Sequence, residues 1–495
     1  MRIYAVDVGT TNLKVVLYDE ELRRLAAATT PAVYDREGLR VEYDPDRLFR
    51  AIVDLIRECA RGDDEASRSA QEDAVIVLTG QAESFVLNDA RGSPVRPGLS
   101  WLDDRASVQA AEIAEEFGPD AAFAVTGQPF PSSTWPASKL SWLSQNEPAS
   151  LGTASSVLMI KDDLVRRFTG AAQGEATTRG FTYFWNVRDK TYWAPMLDYC
   201  GISEQALPPV LPAGTDAGPI RPEVTALLPN AASYRLNVGA LDHFCAMIGT
   251  GSYAPGAVSE SAGTVLSLSL LDPDWTFDEK RRTSFHEGLG REDIVLFDGV
   301  DGGGAALDWF LRSGLGGMDY AALEKALAGR GDIEAHAPLF LPYLTGVNPP
   351  DYFEDAKGAF VDLVFAHDGI DMAYAVEEGV AHLLRRTLAH LGTRPIHEIV
   401  STGGGTASAF WTQLKADVCG IDIVVPAAPE ATCRGAAVLA LVAAGRLDHH
   451  TDANSLNPPA RRRYEASAGP VRDQRYRRFQ ELLGRLFPPH DTEVR

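Results

Sequence analysis

The opening part of the chain alternates between strand-like and helix-like hydrophobic patterns. Ile3 to Asp7 and Lys14 to Asp19 are β-rich runs joined by Gly9-Thr10-Thr11-Asn12, which predicts a hairpin with a tight turn. Asp46 to Cys59 carries apolar residues at helical spacing, and Val75 to Leu78 is a short apolar run that predicts a buried strand. Strands that alternate with helices are typical of an α/β fold.

A second hairpin pattern lies far downstream. Ala257 to Glu260 and Val265 to Leu270 are strand-like, and they flank a turn that contains Gly263 and Thr264. Two Gly-Thr turns in two halves of a chain suggest a duplicated α/β domain with a cleft between the copies. The Pro- and Gly-rich stretch from Pro208 to Pro222 is predicted to connect the two halves.

Clearer helical patterns occur in the later half. Ala373 to Leu391 repeats its apolar residues close to every 3.6 positions, and Ile396 to Ser401 is a predicted strand that leads into Gly403-Gly404-Gly405. A helix is predicted from Ala407 to Cys419. The tail carries one apolar stripe that predicts a helix packed on the body of the protein: Tyr476, Phe479, Leu483 and Leu486.

Composition and missing motifs narrow the classes of function. The 495 residues carry a formal net charge of −22, which disfavours binding to nucleic acid or to anionic lipid. No secretory leader, bilayer-length apolar run or paired cysteine motif is visible, so we expect a cytoplasmic protein with reduced thiols and no membrane partner. The chain also lacks the glycine-rich motifs of P-loop and dinucleotide-binding enzymes, the hydrolase nucleophile elbow and the His-Glu-x-x-His zinc helix.

The first predicted turn combines residue types that suit a nucleotide phosphate. Gly9 allows close backbone approach, Thr10 and Thr11 offer hydroxyl groups, and Lys14 offers a positive charge. Asp7, at the end of a buried strand, could hold Mg²⁺ through water. From this segment alone, an ordinary turn with a solvated aspartate explains the residues equally well.

Three further segments have both a structural and a functional interpretation. Asp242, between apolar residues, is either a helix cap that contributes about 0.5–2 kcal/mol or a general base, and spacing alone favours the cap. Gly302-Gly303-Gly304 and Gly403-Gly404-Gly405 are plain glycine-rich loops or surfaces for a flat ring such as adenine. Gln81-Ala82-Glu83 suits a hydroxyl-rich ligand, although such residues are more often solvated or in salt bridges.

Taken in order, these segments resemble the FGGY family of carbohydrate kinases over most of the chain. In the first half the resemblance rests on Asp7-x-Gly9-Thr10-Thr11 with Lys14, Gly80-Gln81, Trp101-x-Asp103-x-Arg105, Lys139-Leu140-Ser141-Trp142-Leu143 and Lys161-Asp162-Asp163-Leu164. In the second half it rests on Gly239-Ala240-Leu241-Asp242, Gly263-Thr264, Leu341-Pro342-Tyr343-Leu344-x-Gly346, Glu378-Gly379-Val380-Ala381 and Thr402-Gly403-Gly404-Gly405-x-x-Ser408. Each motif is weak alone, and their shared order is specific.

The resemblance implies a fold and an activity. The fold would be two actin-like (ribonuclease H-like) α/β ATPase domains facing a central cleft, a sugar-binding domain over residues 1–238 and a nucleotide-binding domain with its helical tail over residues 239–495. The activity would be transfer of the γ-phosphate of ATP, with Mg²⁺, to a hydroxyl of a ketose (a pentulose such as xylulose) or a polyol. A homodimer is also expected, because dimers are common in such families.

The resemblance assigns roles to individual residues as well. Asp242 becomes the catalytic base, which reverses the interpretation from spacing alone, and Asp7 becomes the metal-binding residue. The phosphate contacts would be Gly9, Thr10, Thr11, Lys14, Gly263 and Thr264, and adenosine would lie near Gly304, Asp308, Gly404 and Ser408. The substrate would meet Gln81, Ala82, Glu83, Asp242 and His243, with Thr134 or Trp135 nearby.

The departures from the family pattern lie at the substrate positions. Glycerol-kinase-like members carry arginine where this chain has Ala82, and xylulose-kinase-like members usually place Met-His at Ala82 and Glu83. His243 replaces the more usual glutamine or asparagine. Without an arginine guanidinium at position 82, the pocket would bind different hydroxyl groups. This disfavours glycerol as the substrate and favours a ketose or a longer polyol. The alternative is an actin- or chaperone-like nucleotide switch, whose ATP hydrolysis would not depend on a sugar.

Overall fold

The computed structural model describes residues 1–62, 71–272, 283–290, 292–300, 302–344, 356–392, 394–426, 430–456 and 461–487. The chain forms two compact units. The first comprises Met1–Tyr253, Ser284–Val295 and Ala428–Pro458, and the second comprises Ala254–Thr283, Leu296–Ala427 and Pro459–Arg495. Two segments from the later half of the sequence therefore complete the first unit.

The elements are numbered along the chain. The strands are β1 (Arg2–Val8), β2 (Asn12–Tyr18), β3 (Arg24–Pro31), β4 (Asp35–Glu37), β5 (Arg40–Tyr43), β6 (Asp73–Gly80), β7 (Phe85–Asn88), β8 (Gly98–Leu99), β9 (Ser156–Met159), β10 (Gly174–Glu175), β11 (Trp185–Asn186), β12 (Thr191–Tyr192), β13 (Val210–Leu211), β14 (Asp216–Pro219), β15 (Ser233–Leu241), β16 (Ala257–Ala262), β17 (Leu266–Asp272), β18 (Ser284–Glu287), β19 (Ile294–Val300), β20 (Leu339–Leu341), β21 (Ala359–Val361), β22 (Glu398–Thr402), β23 (Ile423–Pro426) and β24 (Arg461–Tyr464). The α-helices are α1 (Pro45–Arg61), α2 (Ser107–Phe117), α3 (Pro119–Thr126), α4 (Pro136–Asn146), α5 (Pro148–Thr153), α6 (Ile160–Thr169), α7 (Ala194–Cys200), α8 (Pro222–Thr225), α9 (Asp242–Thr250), α10 (Gly304–Gly314), α11 (Tyr320–Ala328), α12 (Ile333–His336), α13 (Gly369–His390), α14 (Ala409–Cys419), α15 (Ala431–Ala443) and α16 (Pro470–Leu486). Short 3-10 helices cover Ala176–Thr182, Glu204–Ala206, Gly404–Ala407 and His450–Ser455.

A six-stranded sheet with the order β14-β15-β6-β1-β2-β3 forms the core of the first unit. Strands β1, β6 and β15 run parallel, and β2 returns antiparallel to β1. β1 is apolar on both faces because it lies inside the sheet, with helices packed over it. Helix α1 begins where Asp44 accepts hydrogen bonds from the backbone N–H groups of Asp46 and Arg47, and it buries Ile52 and Ile56 in this core.

A seven-stranded sheet with the order β18-β19-β17-β16-β22-β23-β24 includes the strands of the second hairpin pattern. Strand β16 pairs antiparallel with β17 and parallel with β22. The two sheets share one strand order. When five strands of each sheet are numbered as they occur along the chain, both β3-β2-β1-β6-β15 and β19-β17-β16-β22-β23 read third-second-first-fourth-fifth across the sheet. This repeated order confirms the predicted α/β duplication.

Most predicted elements are present, with two differences. The stretch from Pro208 to Pro222 is not a simple connection, because it contains β14, which pairs with β15 in the first sheet. The tail stripe forms α16, which buries Tyr476, Phe479 and Leu483 as predicted, whereas Leu486 is exposed at the end of the helix. The predicted domain boundary at residues 238 and 239 falls within β15.

Candidate active site

The carboxyl ends of three parallel strands bring the first set of predicted site residues to one edge of the sheet. Asp7 in β1 is in register with Thr79 in β6, and Thr79 is in register with Ala240 in β15. β1 leads into the Gly9 turn, β6 leads into Gln81 and β15 leads into Asp242, and each of these is a predicted site segment. Open α/β sheets bind ligands beyond the carboxyl ends of their strands, which is where these segments lie.

The turn between β1 and β2 is shaped by a glycine and bound to its surroundings by polar contacts. A Cβ atom on Gly9 would lie 2.7 Å from the carbonyl oxygen of Asn12, so a larger residue would not fit this turn. The indole Nε1 of Trp101 donates a hydrogen bond of 2.8 Å to Thr10 Oγ1. Lys14 forms an ion pair with Glu430, and although burial acts to lower the pKa of the amine, the Glu430 hydrogen bond raises it overall.

Asp7 is the strongest candidate for contact with a cation at this edge. Its Oδ1 is buried and has no hydrogen-bond partner within the described part of the chain. Burial raises the pKa of the carboxyl to about 7, the negative charge of Asp242 adds to the rise, and Lys14 opposes it. Across the described ranges, no group of three or more His, Cys, Asp or Glu side chains could hold a metal ion. The site therefore fits Mg²⁺ only where water or phosphate supplies most ligands, as that ion prefers.

Asp242 is the first residue of α9 and stays partly accessible. Its side chain is 30% exposed, and its Oδ1 accepts a hydrogen bond of 2.7 Å from the backbone N–H of His243. The cap position belongs to Leu241, and no side chain caps the helix. The cap interpretation favoured by spacing alone is therefore wrong. The carboxylate lies just beyond the end of β15 and is partly accessible to solvent.

The helix that begins with Asp242 is held by unusually close backbone packing. A Cβ atom on Gly249 would lie 1.9 Å from the carbonyl oxygen of Ala431, and one on Gly435 would lie 1.8 Å from that of Cys245. Backbone therefore contacts backbone where α9 crosses α15. Sequence patterns did not mark these glycines, because the two helices are far apart along the chain.

A buried polar network reaches the residue before Asp242. The backbone N–H of Leu241 donates to Thr177 Oγ1 at 2.8 Å, and that hydroxyl donates to Glu175 Oε2 at 2.7 Å. The other carboxylate oxygen of Glu175 accepts a hydrogen bond from Lys161 Nζ at 3.0 Å. Lys161, Glu175 and Thr177 are all essentially inaccessible to solvent. This network anchors the end of β15.

The three residues of the predicted substrate segment Gln81-Ala82-Glu83 have different surroundings. Gln81 is engaged within the protein, because its Oε1 accepts from Ser84 Oγ at 2.8 Å and its Nε2 donates to the Tyr34 hydroxyl at 3.1 Å. Ala82 is buried. Glu83 has a left-handed backbone, with φ of 64°, which is uncommon for a residue other than glycine and occurs in turns and at functional sites.

The Glu83 carboxyl lies among polar groups and aromatic rings. Thr134 Oγ1 donates to it at 3.3 Å, and burial raises its pKa to about 7 against the opposing charge of Lys139. Lys139 is itself buried and donates to the carbonyl oxygen of Ser100 at 2.6 Å; burial lowers the pKa of its amine. Glu83 therefore holds a proton more readily than an exposed glutamate.

A series of aromatic rings begins at Trp135, next to the Thr134 that donates to Glu83. The ring of Trp135, next to Thr134, lies 6.1 Å from that of Phe181, which stacks on His286 at 3.9 Å. Burial lowers the pKa of His286 to about 3, and the charge of His243 contributes in the same direction. Neither Phe181 nor His286 was predicted as a site residue, because each is distant in sequence from the motifs.

Three glycine-containing segments converge in the second unit. The backbone N–H of Gly304 donates to the carbonyl oxygen of Gly263 at 2.9 Å, and that of Ala305 donates to the carbonyl oxygen of Thr264 at 3.1 Å. Gly403 has φ of +90°, and a Cβ atom there would lie 2.7 Å from the carbonyl oxygen of Ala262. The predicted phosphate turn and the two predicted adenosine loops thus meet locally.

The two polar side chains predicted near adenosine have partners within the protein. Ser408 Oγ accepts a hydrogen bond from the backbone N–H of Trp411 at 3.1 Å and caps α14. Asp308 is exposed and accepts from the Tyr320 hydroxyl at 2.6 Å. Their contact with a nucleotide stays a prediction, as does that of Gly404 in the exposed loop.

Some motif residues of the resemblance are structural. Asp103 is fully buried and binds Arg105 through two hydrogen bonds of 2.8 and 2.6 Å, and its second oxygen also accepts from the backbone of Val41. Asp103 and Arg105 therefore form a buried ion pair within the protein. Gly346, which ends the Leu341 motif, lies outside the described residues. No helix in the described ranges is long and apolar enough to cross a membrane.

Comparisons with known proteins agree with this architecture. The N-terminal domain of the FGGY family of carbohydrate kinases matches residues 2–249, and the C-terminal domain of that family matches residues 261–444. A gluconokinase of Bacillus licheniformis is 25% identical over 458 residues, which cover 90% of this chain and 88% of that protein. A glycerol kinase of Polaromonas naphthalenivorans (strain CJ2) is 26% identical over 476 residues, which cover 92% and 93% of the two chains.

A solved structure shows the same fold. Ligand-bound xylulose kinase from Lactobacillus acidophilus matches with a TM-score of 0.89 at 22% identity, over 98% of this chain and 97% of that chain. The predicted two-domain, actin-like α/β fold is therefore confirmed. The relatives named above differ in substrate, so they leave the acceptor of this chain open.

Proposed function

The chain belongs to the FGGY family of carbohydrate kinases, phosphotransferases with an alcohol group as acceptor, and we propose that it transfers the γ-phosphate of ATP to a hydroxyl of a ketose or polyol. The observation that carries the proposal is the placement of Asp242. It is a partly exposed carboxylate at the end of β15, on the same sheet edge as Asp7 and the Gly9 turn.

Asp242 is the proposed general base. It would accept the proton of the substrate hydroxyl while the oxygen attacks the γ-phosphate, a role that needs reach and orientation more than a shifted pKa. Its orientation is supported by Thr177 through Leu241 and by the packing of α9 on α15. The remaining catalytic contribution would come from holding the phosphate and neutralising its charge.

The nucleotide contacts are proposed from the turn residues and the glycine loops. Gly9, Thr10, Thr11 and Lys14 would hold phosphate oxygens through backbone amides, hydroxyls and charge. Asp7 would hold Mg²⁺, which supplies positive charge that stabilises the phosphate oxygens during transfer. In the second unit the proposed contacts are Gly263, Thr264, Gly304, Asp308, Gly404 and Ser408.

A neutral acceptor fits the substrate residues better than an acidic one. Glu83 and Asp242 are both carboxylates, so an acceptor that carries its own carboxylate would be repelled when either is ionised. Ala82 offers no guanidinium to offset that charge. We therefore favour a pentulose, such as xylulose, or a longer polyol over glycerol and over a sugar acid such as gluconate.

ADP release in the presence of a panel of acceptors tests the proposal. Pentuloses, hexuloses, polyols and gluconate are each added to the enzyme with Mg²⁺ and ATP, and turnover should depend on a neutral sugar. Asp242→Asn should lower kcat by about 10²–10⁴-fold and leave ATP affinity largely unchanged. ATP hydrolysis that is the same without any acceptor would favour the nucleotide-switch alternative, and full activity of Asp242→Asn would refute the base.

A further inference from the structure

The lysine beside the phosphate turn is held by a glutamate from a distant part of the chain. Lys14 Nζ donates a hydrogen bond to Glu430 Oε2, and the two residues form an ion pair. Glu430 directly precedes α15, and its side chain does not cap that helix in the described part of the chain. The carboxylate therefore serves Lys14 rather than the backbone of its own helix. Glu430 has no role in the proposed transfer.

The backbone of Glu430 has an uncommon conformation. Its φ of 64° and ψ of 43° lie in the left-handed region, which costs free energy for a residue that carries a side chain. A glycine would adopt this conformation without that cost, but it would lack the carboxylate. The glutamate is therefore explained by its side chain, and the contact that this side chain makes is with Lys14.

The ion pair lies at the sheet edge of the proposed phosphate contacts, and solvent reaches it. Lys14 is in register with Asp7, so the two side chains are on the same face of the β1–β2 hairpin. The side chain of Lys14 is 31% exposed and that of Glu430 is 22% exposed. A phosphate that approaches the turn can therefore reach the amine of Lys14, which the Glu430 carboxylate already contacts.

Three carboxylates and one lysine interact at this edge. Burial is the main cause of the raised pKa of Asp7; beyond burial, the charge of Asp242 raises this pKa, Lys14 lowers it and Glu430 raises it. The four groups are therefore close to one another. While Glu430 neutralises Lys14, the amine offers little net attraction to an anion, because the two charges of the pair oppose each other.

We propose that Glu430 competes with the nucleotide for Lys14, so that the ion pair opens and a phosphate oxygen takes the place of the carboxylate when ATP binds. This inference rests on the proposed function, because it requires Lys14 to contact phosphate. The exchange replaces one charge-assisted hydrogen bond by another. Opening the pair costs free energy, which lowers the affinity for ATP and for ADP. Glu430 is therefore a positioning residue that acts through Lys14.

Glu430→Gln tests the competition on the full chain. Glutamine keeps the length of the side chain and a hydrogen-bond acceptor but not the charge, so it holds Lys14 less strongly. Calorimetric titrations with Mg²⁺ and without sugar should show ATP, ADP and inorganic tripolyphosphate binding about 3- to 10-fold tighter than to the wild type. Adenosine, which has no phosphate, should bind both proteins equally. Glu430→Asp keeps the charge and should lie nearer to the wild type.

A gain in affinity distinguishes this role from a structural one, because a variant that only disordered the turn would bind phosphate less tightly. Glu20→Gln is the matched control. Glu20 also pairs with the segment Ala428–Pro458, through Arg446 at 3.4 Å, but it lies beyond the opposite end of β2. This control should leave all four affinities unchanged. Unchanged or weaker binding of ATP and tripolyphosphate to Glu430→Gln, or an equal gain in Glu20→Gln, would overturn the competition.

A double-mutant cycle with Lys14→Met distinguishes competition from repulsion across space. If Glu430 competes for the amine, Glu430→Gln should tighten tripolyphosphate binding less in the Lys14→Met background than in the wild type. An equal gain in both backgrounds would show that the carboxylate repels the phosphate directly. That result would overturn the exchange of partners.

Initial rates separate this inference from the proposed function. With a saturating acceptor, Glu430→Gln should lower the inhibition constant of ADP by the same factor as its dissociation constant. Tighter ATP binding by Glu430→Gln, in a protein that phosphorylates no acceptor, would support the competition and count against the proposed function alone. Acceptor-dependent turnover with an ATP affinity that Glu430→Gln does not change would overturn the competition and leave the proposed function.

Discussion

Replacing Thr177 by valine should separate the positioning of Asp242 from its chemistry. Thr177 contacts neither proposed ligand, but its hydroxyl joins the backbone of Leu241, at 2.8 Å, to Glu175, at 2.7 Å. Valine has nearly the same shape, so the substitution removes the hydroxyl without opening a large cavity. Any loss of activity must then pass through the position of the strand end.

The size of the effect follows from the two lost hydrogen bonds. The buried N–H of Leu241 loses its acceptor, which costs about 1–3 kcal/mol, and the bond to the charged Glu175 contributes about 1.5–3 kcal/mol. Because Glu175 keeps its bonds to Lys161 and to the Thr177 backbone N–H, the combined loss should be about 2–4 kcal/mol. A protein of ordinary stability still folds after such a loss.

The catalytic effect should appear in kcat. A shift of about 1 Å in a catalytic group costs about 100-fold, so we expect Thr177→Val to lower kcat by about 10- to 100-fold, with little change in the KM for ATP. Thr177→Ser keeps the hydroxyl and should retain most of kcat. Initial rates give kcat and KM, and urea unfolding gives the free energy of unfolding for each variant.

A matched control lies elsewhere in the first unit. Thr126 is also buried, donates to the carbonyl oxygen of Ala122 at 2.8 Å and accepts from the backbone N–H of Gln128 at 3.1 Å. Thr126→Val should therefore destabilise the protein to a similar extent and leave kcat near the wild-type value. Wild-type kcat in Thr177→Val, or an equal fall in Thr126→Val, would refute the positioning argument.

Three other predictions concern the sheet edge. The pKa of Asp7 is about 7 in the folded protein and 3.8 when unperturbed, so the free protein should lose stability as pH rises from about 4 to 7. In urea titrations, Asp7→Asn should remove this contribution to the dependence of the free energy of unfolding on pH. The same pKa predicts that Asp7 releases protons when Mg²⁺ and nucleotide bind at pH 6.5. In calorimetric titrations the heat of binding should therefore depend on the buffer, and Asp7→Asn should abolish that dependence. A heat of binding in the wild type that does not depend on the buffer would contradict the prediction. Trp101→Phe, which removes the donor to Thr10, should raise the KM for ATP by about 2- to 10-fold at unchanged kcat, and an unchanged KM would show that this bond does not order the turn.

The local patterns predicted the elements of the fold well. Both hairpins, the strand before Gln81 and the long helix α13 depend on periodicity and turn residues within a short stretch, which a sequence displays directly. The domain composition was harder, because the segment from Ala428 to Pro458 returns to the first unit. No pattern near that segment indicates which sheet it will pack against.

The sequence suggested candidate site residues where motifs lie at strand ends, but it did not predict the contacts around them that span the sequence. Lys14 and Glu430 are 416 positions apart, and Phe181 and His286 stack across more than a hundred. For Asp242, spacing favoured a cap, and only the register of three strands and the assignment of Leu241 to the cap position revealed an available carboxylate. Such information exists only in tertiary structure.

The partners of each buried charge separate structural residues from those proposed to meet ligands. Asp103 and Glu175 are buried, but each is bound by a cation and by backbone donors, so removing water from them is offset within the protein. Asp7 lacks a partner for one oxygen, and burial raises the pKa of Asp7 and of Glu83 to about 7. Burial alone is insufficient as a criterion, because Glu377 in the second unit is also buried with a raised pKa yet belongs to no strand end. An under-partnered carboxylate where parallel strands end is destabilising in the free protein, and a cation or a hydroxyl-rich acceptor bound there would offset that cost.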